Sequence, residues 1–134
     1  MFVDVDRFKQ VNDRHGHAVG DEVLRRFADV ARNSGRAGDH LVRLGGEEFV
    51  MVLDAVTPEQ ARKVAERVVT GFARAEMKNA AGEAFFCTVS AGIAFGDANR
   101  PSLADLLARA DRALYQAKRN GRNRIETGEW RLVG

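Results

Sequence analysis

Two short acidic stretches hold the residue types that chemistry at a phosphate requires. The first, Gly45-Gly46-Glu47-Glu48-Phe49, sets two adjacent carboxylates beside a glycine pair. Adjacent carboxylates at an exposed turn repel one another, and a divalent cation relieves that repulsion. The second, Asp4-Val5-Asp6, follows Phe2 and Val3. If Asp4 ends a strand lying beside the glycine turn, acids from two neighbouring strands face one point, as Mg²⁺ in a nucleotide site requires. Asp6 is expected to cap the helix that follows. An EF-hand loop is excluded, because Phe8 and Lys9 stand where such a loop needs an oxygen ligand and then Gly.

The elements that position these acids follow from residue pattern. Phe2 to Asp6 reads as the end of a strand, and Arg7 to Arg14 as a short helix broken at Gly16. Val23, Leu24, Phe27, Val30 and Ala31 recur at helical spacing, predicting a helix of about five turns that ends near Asn33 to Gly35, with Arg25, Arg26 and Asp29 outward. Leu41 to Leu44 and Phe49 to Leu53 are strand-like, and Gly45-Gly46 suits a tight hairpin between them. Thr57-Pro58-Glu59-Gln60 is a capped helix start, with Ala61, Val64, Ala65, Val68 and Phe72 as the buried stripe. Phe85 to Phe95 reads as one strand containing Gly92. Ser102 opens a last helix with Leu103, Leu106, Leu107, Ala110, Leu114 and Ala117 on its apolar face; Gly121 stops it, and Arg124-Ile125 adds a short strand. The order β-α-α-β-β-α-β-α-β predicts an α/β (α+β) domain, a central sheet with an antiparallel hairpin flanked by helices.

At 134 residues the chain has the length of one domain. Lys and Arg number 21 against 19 Asp and Glu, a net charge of +2 that argues for neither nucleic acid nor an anionic membrane. The basic cluster Lys118, Arg119, Arg122 and Arg124 lacks the interleaved aromatics of a nucleic-acid reader, so no nucleic-acid partner is expected. No apolar run approaches the roughly 18 residues of a membrane span, and no direct membrane contact is expected. Cys87, the lone cysteine, lies in the apolar run Phe85 to Val89 and reads as a small core residue. Without a leader pattern or a possible internal disulfide, the expected location is cytoplasmic, although upstream regions of a longer protein could tether it to a membrane.

Read in order, Asp4-Val5-Asp6-Arg7-Phe8-Lys9, Asn12-Asp13, Gly16-His17-Ala18-Val19-Gly20-Asp21 and Gly45 to Phe49 resemble successive signatures of the GGDEF family of diguanylate cyclases. Ala110 to Lys118, followed by Gly121-Arg122-Asn123, is similar to that family's closing motif. The resemblance covers nearly the whole chain. It implies a palm-like sheet akin to polymerase and adenylyl cyclase catalytic domains. The family's helix and Asp-x-Leu-Thr-Gly-Leu-x-Asn-Arg stretch ahead of the first strand are missing here, so that strand is expected to be incomplete. Residues 1–126 then form the domain, and 127–134, around Trp130, a carboxyl-terminal tail.

The resemblance implies a role for each matching residue. Asp4, the Val5 carbonyl and Glu47 hold Mg²⁺ or Mn²⁺, with Glu48 on a second ion; Asp4 and Glu47 are the catalytic acids, and Glu47 is suited to take a proton. Third-position Glu replaces the Asp of the family's name and keeps a carboxylate at the tip. Asn12 and Asp21 read guanine, whose adjacent N1–H and N2–H suit a carboxylate, while adenine presents an acceptor at N1. His17 lies near the substrate, and His15 is a solvated loop side chain. Backbone amides from Asp6 to Lys9, including those of Phe8 and Lys9, face the β- and γ-phosphates, and Lys118 and Arg122 neutralise phosphate. Arg36-Ala37-Gly38-Asp39 resembles the family's product-inhibition site for cyclic di-GMP, assisted by Arg67. The activity implied is condensation of two GTP into cyclic di-GMP and two pyrophosphates. One chain offers one guanine reader and one acidic turn, so a second copy is needed to complete the reaction. A catalytically silent member that binds GTP or cyclic di-GMP is the alternative. Silent members generally lose the acidic turn, which is intact here.

Overall fold

The computed structural model describes residues 1–36, 38–54, 56–96 and 102–128. Ala37 and the tail around Trp130 lie outside the described residues. In chain order the elements are β1 (Phe2–Val5), α1 (Phe8–His15), α2 (His17–Ser34), β2 (His40–Gly45), β3 (Glu48–Val52), α3 (Pro58–Ala73), β4 (Met77–Lys78), β5 (Ala84–Phe85), β6 (Val89–Ile93), α4 (Leu103–Arg119) and β7 (Ile125–Thr127). The main sheet is ordered β2-β3-β1-β6-β7. Its pairs are antiparallel except β6 with β7.

β1 is the middle strand, and all four of its residues are buried. Successive side chains of a strand point to opposite faces. Val3 and Val5 enter a core with Val23, Phe27, Val68 and Phe72, whereas Phe2 joins Val50, Ala110 and Leu114 on the other face. α2 and α3 cover the first face and α4 the second, so Asp4, which alternates with Val3 and Val5, lies on the α4 side. Phe27 binds the first core together. Its ring meets Phe72 edge-on at 5.5 Å and Phe49 at a 54° tilt and 4.7 Å, joining α2, α3 and β3.

Local signals set the helix ends. Thr57 accepts from the Gln60 N–H at 3.1 Å while the Gln60 side chain accepts from the Thr57 N–H at 3.0 Å, a reciprocal cap with Pro58 in the first turn. The predicted α3 stripe is buried throughout and gains Val69. At Gly92 any side chain would overlap the backbone of Ala110 and Leu114, so α4 rests directly on β6. Two expectations are corrected. Leu103 is 63 % exposed and Leu106 and Leu107 are half-buried, so the buried stripe of α4 begins only at Ala110. The single strand over Phe85 to Phe95 is two: β5 pairs with β4 in a separate small sheet, and β6 begins at Val89. The cause is the Asn79 turn, where Asn79 Oδ1 accepts from the N–H groups of Ala81 and Glu83 and folds β5 back onto β4.

Candidate active site

Acids from two strands meet where β1 ends. Asp4 stands directly opposite Glu48 of β3 on one side and Ser90 of β6 on the other. Directly opposed residues project from one face of a sheet, and like charges in such a pair repel. The Val5 N–H donates to the Glu47 carbonyl at 3.1 Å and fixes the hairpin tip to the strand end. Gly45 and Gly46, at φ 155° and 51°, supply the turn backbone. Arg43 Nε donates to the Gly46 carbonyl at 3.0 Å and braces the tip from the β2 side. Glu47 is half-buried and Glu48 exposed.

The last turn of α4 supplies the countercharge. Lys118 Nζ donates to Asp4 Oδ2 at 2.7 Å. Asp4 is only 5 % exposed, and this burial raises its carboxyl above the ordinary 3.8; the hydrogen bond and charge of Lys118 oppose the rise, and the charges of Glu47 and Glu48 add to it. Three carboxylates against one ammonium leave a net negative cluster. Asp4, the Val5 carbonyl, Glu47 and Glu48 are hard oxygen donors, so the set fits Mg²⁺ or Mn²⁺. Among the described residues no three His, Cys, Asp or Glu side chains are already gathered as metal ligands, and Lys118 takes up one Asp4 oxygen.

Asp6 does not cap α1. The N-cap is Arg7, left-handed at φ 54°, and no side chain caps the first turn. The Asp6 carboxylate instead turns inward, accepting from Thr88 Oγ1 at 2.7 Å, Ser90 Oγ at 2.6 Å and the Asn123 N–H at 3.0 Å. Those donors outcompete the cap because they come from elements already fixed by β6 and α4. The first-turn N–H groups of α1, with Lys9 exposed and Phe8 buried beneath, are therefore unmet by a capping side chain.

Asn12 on α1 packs against Gly20 of α2, the residue before Asp21. A side chain at Gly20 would overlap Asn12 Oδ1 and crowd Phe8, so only a glycine leaves room for the Asn12 amide beside the residue preceding Asp21. Asp21 lines a cleft of about 670 Å³ with Arg25, Asp29, Arg32, Arg43 and Phe49. His17 is exposed at the start of α2. His15 is not a solvated loop residue: it ends α1, and its ring stacks on Phe85 at 4.4 Å. Arg122 is exposed just past α4, in left-handed backbone at φ 64°.

Arg36 and Asp39 form their own turn. The Arg36 N–H donates to Asp39 Oδ2 at 2.7 Å, the Asp39 N–H donates to the Arg36 carbonyl at 3.1 Å, and the Arg36 guanidinium reaches the Asp54 carbonyl at 3.0 Å. Arg67 is exposed on α3, which packs against α2. Sequence reasoning passed over Gly20, Arg43 and the inward turn of Asp6. A glycine inside a helix and an arginine two residues before a glycine pair are visible signals for the first two; Asp6 has none, because its partners are remote in sequence. Cys87 is buried as expected, and burial, with the Asp6 charge after it, pushes its thiol from 9.0 up to about 11.

The family model "Diguanylate cyclase, GGDEF domain" matches residues 1–124. Diguanylate cyclase DosC of Escherichia coli (strain K12) is 38 % identical over 126 residues, covering 94 % of this chain and 27 % of that protein, so the chain spans about a quarter of that relative. The GGDEF domain of DgcB from Caulobacter crescentus, solved in complex with c-di-GMP, superposes with a TM-score of 0.89 at 33 % identity, over 96 % of this chain and 76 % of that one. The active GGEEF domain of a diguanylate cyclase from Vibrio cholerae gives 0.87 at 35 % identity, over 97 % and 81 %. With a family match over nearly its full length and a palm-like sheet in common with these structures, the chain belongs to the GGDEF-domain family of diguanylate cyclases.

Proposed function

We propose that this chain is one half-site of a diguanylate cyclase, which condenses two GTP into cyclic di-GMP when two copies face each other. The observation that carries the reading is the opposition of Asp4 and Glu48 across the β1–β3 ladder, with Glu47 held at the same strand end. The solved Vibrio cholerae domain, described as active with a GGEEF tip, supports a catalytic rather than silent reading of Gly45 to Phe49. Asp4, the Val5 carbonyl, Glu47 and Glu48 are the residues to hold Mg²⁺ or Mn²⁺, two ions per half-site. When bound, such ions offset the charge of the pyrophosphate leaving group and acidify the attacking hydroxyl.

The chain's own groups do the rest. Asp21 accepts from guanine N1–H and N2–H, with the Asn12 amide packed against the adjacent Gly20; adenine is refused because its N1 is an acceptor facing a carboxylate. The uncapped first turn of α1 receives phosphate oxygens, and Lys118 and Arg122 add positive charge from the end of α4. Glu47 takes the proton as the 3′-oxygen of one GTP bonds to the α-phosphorus of the other and pyrophosphate leaves; a second such exchange closes the ring. Exposed acids, amides and arginines need no apolar pocket, in keeping with an open cleft that waits for a facing copy. The c-di-GMP complex of the DgcB domain supports a product site, for which Arg36, Asp39 and Arg67 are the candidates. A cytoplasmic location accords with the chemistry of GTP, and among the described residues no helix is long and apolar enough to cross a membrane.

Incubation with GTP and Mg²⁺, followed by chromatographic identification of products, tests this reading. Cyclic di-GMP and pyrophosphate in a 1:2 ratio are expected, with no cyclic product from ATP. GTP or cyclic di-GMP binding without turnover at any protein concentration would instead assign a silent binding module.

A further inference from the structure

The geometry points to Asp6 as a positioning residue that aims Arg122 at the triphosphate. This inference rests on the phosphate reading of Arg122. Asp6 is 6 % exposed and belongs to no step of the proposed chemistry, yet its carboxylate meets three donors from two distant parts of the chain. Two, Thr88 Oγ1 and Ser90 Oγ, come from β6 and the residue just before it. The third is the Asn123 N–H at 3.0 Å.

That third bond lies in a backbone that does not hold itself. Arg122 and Asn123 are consecutive non-glycine residues in the left-handed region, at φ 64° and 48°. Such residues persist only where their surroundings over-determine them. Of the two amides, the Asn123 N–H meets the Asp6 carboxylate, while the Arg122 N–H donates to the Ala117 carbonyl at 2.9 Å. The turn is also held by Arg124 Nε donating to the Arg122 carbonyl at 3.2 Å and by the Ala91 N–H donating to the Arg124 carbonyl at 2.9 Å. Asp6 supplies the bond that ties the middle of the turn to the sheet, and with it the direction in which Arg122 leaves the backbone. It also ties that turn to the end of β1, two residues from Asp4, so the basic end of α4 and the acidic end of the sheet keep one spacing. Asp6→Ala removes the acceptor and leaves the Asn123 N–H to water, releasing the left-handed pair.

The test compares binding of 3′-deoxy-GTP, which lacks the attacking hydroxyl and cannot be cyclised, with binding of GMP, both with Mg²⁺ present, by calorimetry on the parent, Asp6→Ala, Asp6→Asn and Arg122→Ala. Asp6→Ala is expected to lose about tenfold of the preference for the triphosphate while GMP affinity stays within about twofold, as Arg122→Ala does, because only a charged phosphate contact is lost. Asp6→Asn keeps one acceptor oxygen, and the Ser90 hydroxyl accepts from its amide, so it is expected to retain all but about threefold. An Arg122→Ala variant with full triphosphate preference overturns the phosphate reading and the inference with it. Loss in Arg122→Ala but parent behaviour in folded Asp6→Ala overturns the positioning role alone, as does an equal loss of both ligands. Should Asp6→Ala fail to fold, an unchanged preference in folded Asp6→Asn is the overturning result.

Discussion

Asp4, Glu47 and Lys118 come from three distant parts of the chain and meet only because β1, β3 and α4 pack together, whereas Arg36 and Asp39 stand three residues apart and close on each other. At the sheet end the acids repel, burial raises the Asp4 carboxyl, and one ammonium opposes the excess. At the Arg36 turn the backbone amides and the carboxylate are already paired. On the proposed function, the cluster left electrically unbalanced by its own fold takes the cation, and the turn that is locally satisfied presents a fixed surface. The contrast predicts that substitutions at the first region change turnover and those at the second change only its control.

The largest effect belongs to Glu47→Gln. The amide fills the same turn but carries no charge and takes no proton, so turnover is expected to fall on the order of a thousandfold. The melting temperature should stay within a few degrees, because relief of repulsion with Asp4 and Glu48 offsets any loss of packing. Residual turnover near the parent level at saturating Mg²⁺ breaks the metal assignment. Asp21→Asn comes next. One guanine donor then faces an amide donor, and GTP affinity by calorimetry is expected to drop roughly tenfold to a hundredfold with little change in stability; unchanged affinity removes Asp21 from the guanine site.

Arg36→Ala sharpens the comparison from the other side. Its initial rate should match the parent within about twofold, while added cyclic di-GMP should inhibit the variant less. Identical inhibition curves would take the product site away from Arg36 and Asp39. The smallest effect is at Cys87, which shares its environment with Asp6 and not with the reacting acids. Its folded pKa of about 11 lies above the ordinary 9.0, so the folded state holds the thiol proton more tightly. The associated stability is fully present below pH 9 and is lost as pH rises through about 11. At pH 8 a thiol reagent should label it slowly in the folded domain and rapidly in denaturant. Fast labelling of folded protein would contradict its burial.

Legibility in the sequence followed the range of the physics. The Thr57 to Gln60 cap, the α3 stripe and the Gly45-Gly46 hairpin depend on neighbours within a few residues, and each stands where its pattern predicts. The acidic tip and Asp4 were readable as a candidate site because residue type alone marks them. The partners of Asp6 lie 82, 84 and 117 positions away, and no local rule distinguishes an inward-turned Asp from a helix cap. β4 and β5 have two residues each, too few for an alternating pattern to show. Leu103 sits on the right stripe, but its burial depends on how far the sheet extends beneath α4.

The claim on which the rest depends is that one chain is only half of a site. Initial rate per milligram, measured at saturating GTP and Mg²⁺ over a wide range of protein concentration with mass determined in parallel, tests it most directly. Pairing of two copies makes specific activity climb with concentration and level off as the dimer fills. Fusion of a coiled-coil dimer upstream should raise the low-concentration rate to that plateau. Constant specific activity from a species that remains monomeric at every concentration would contradict the account.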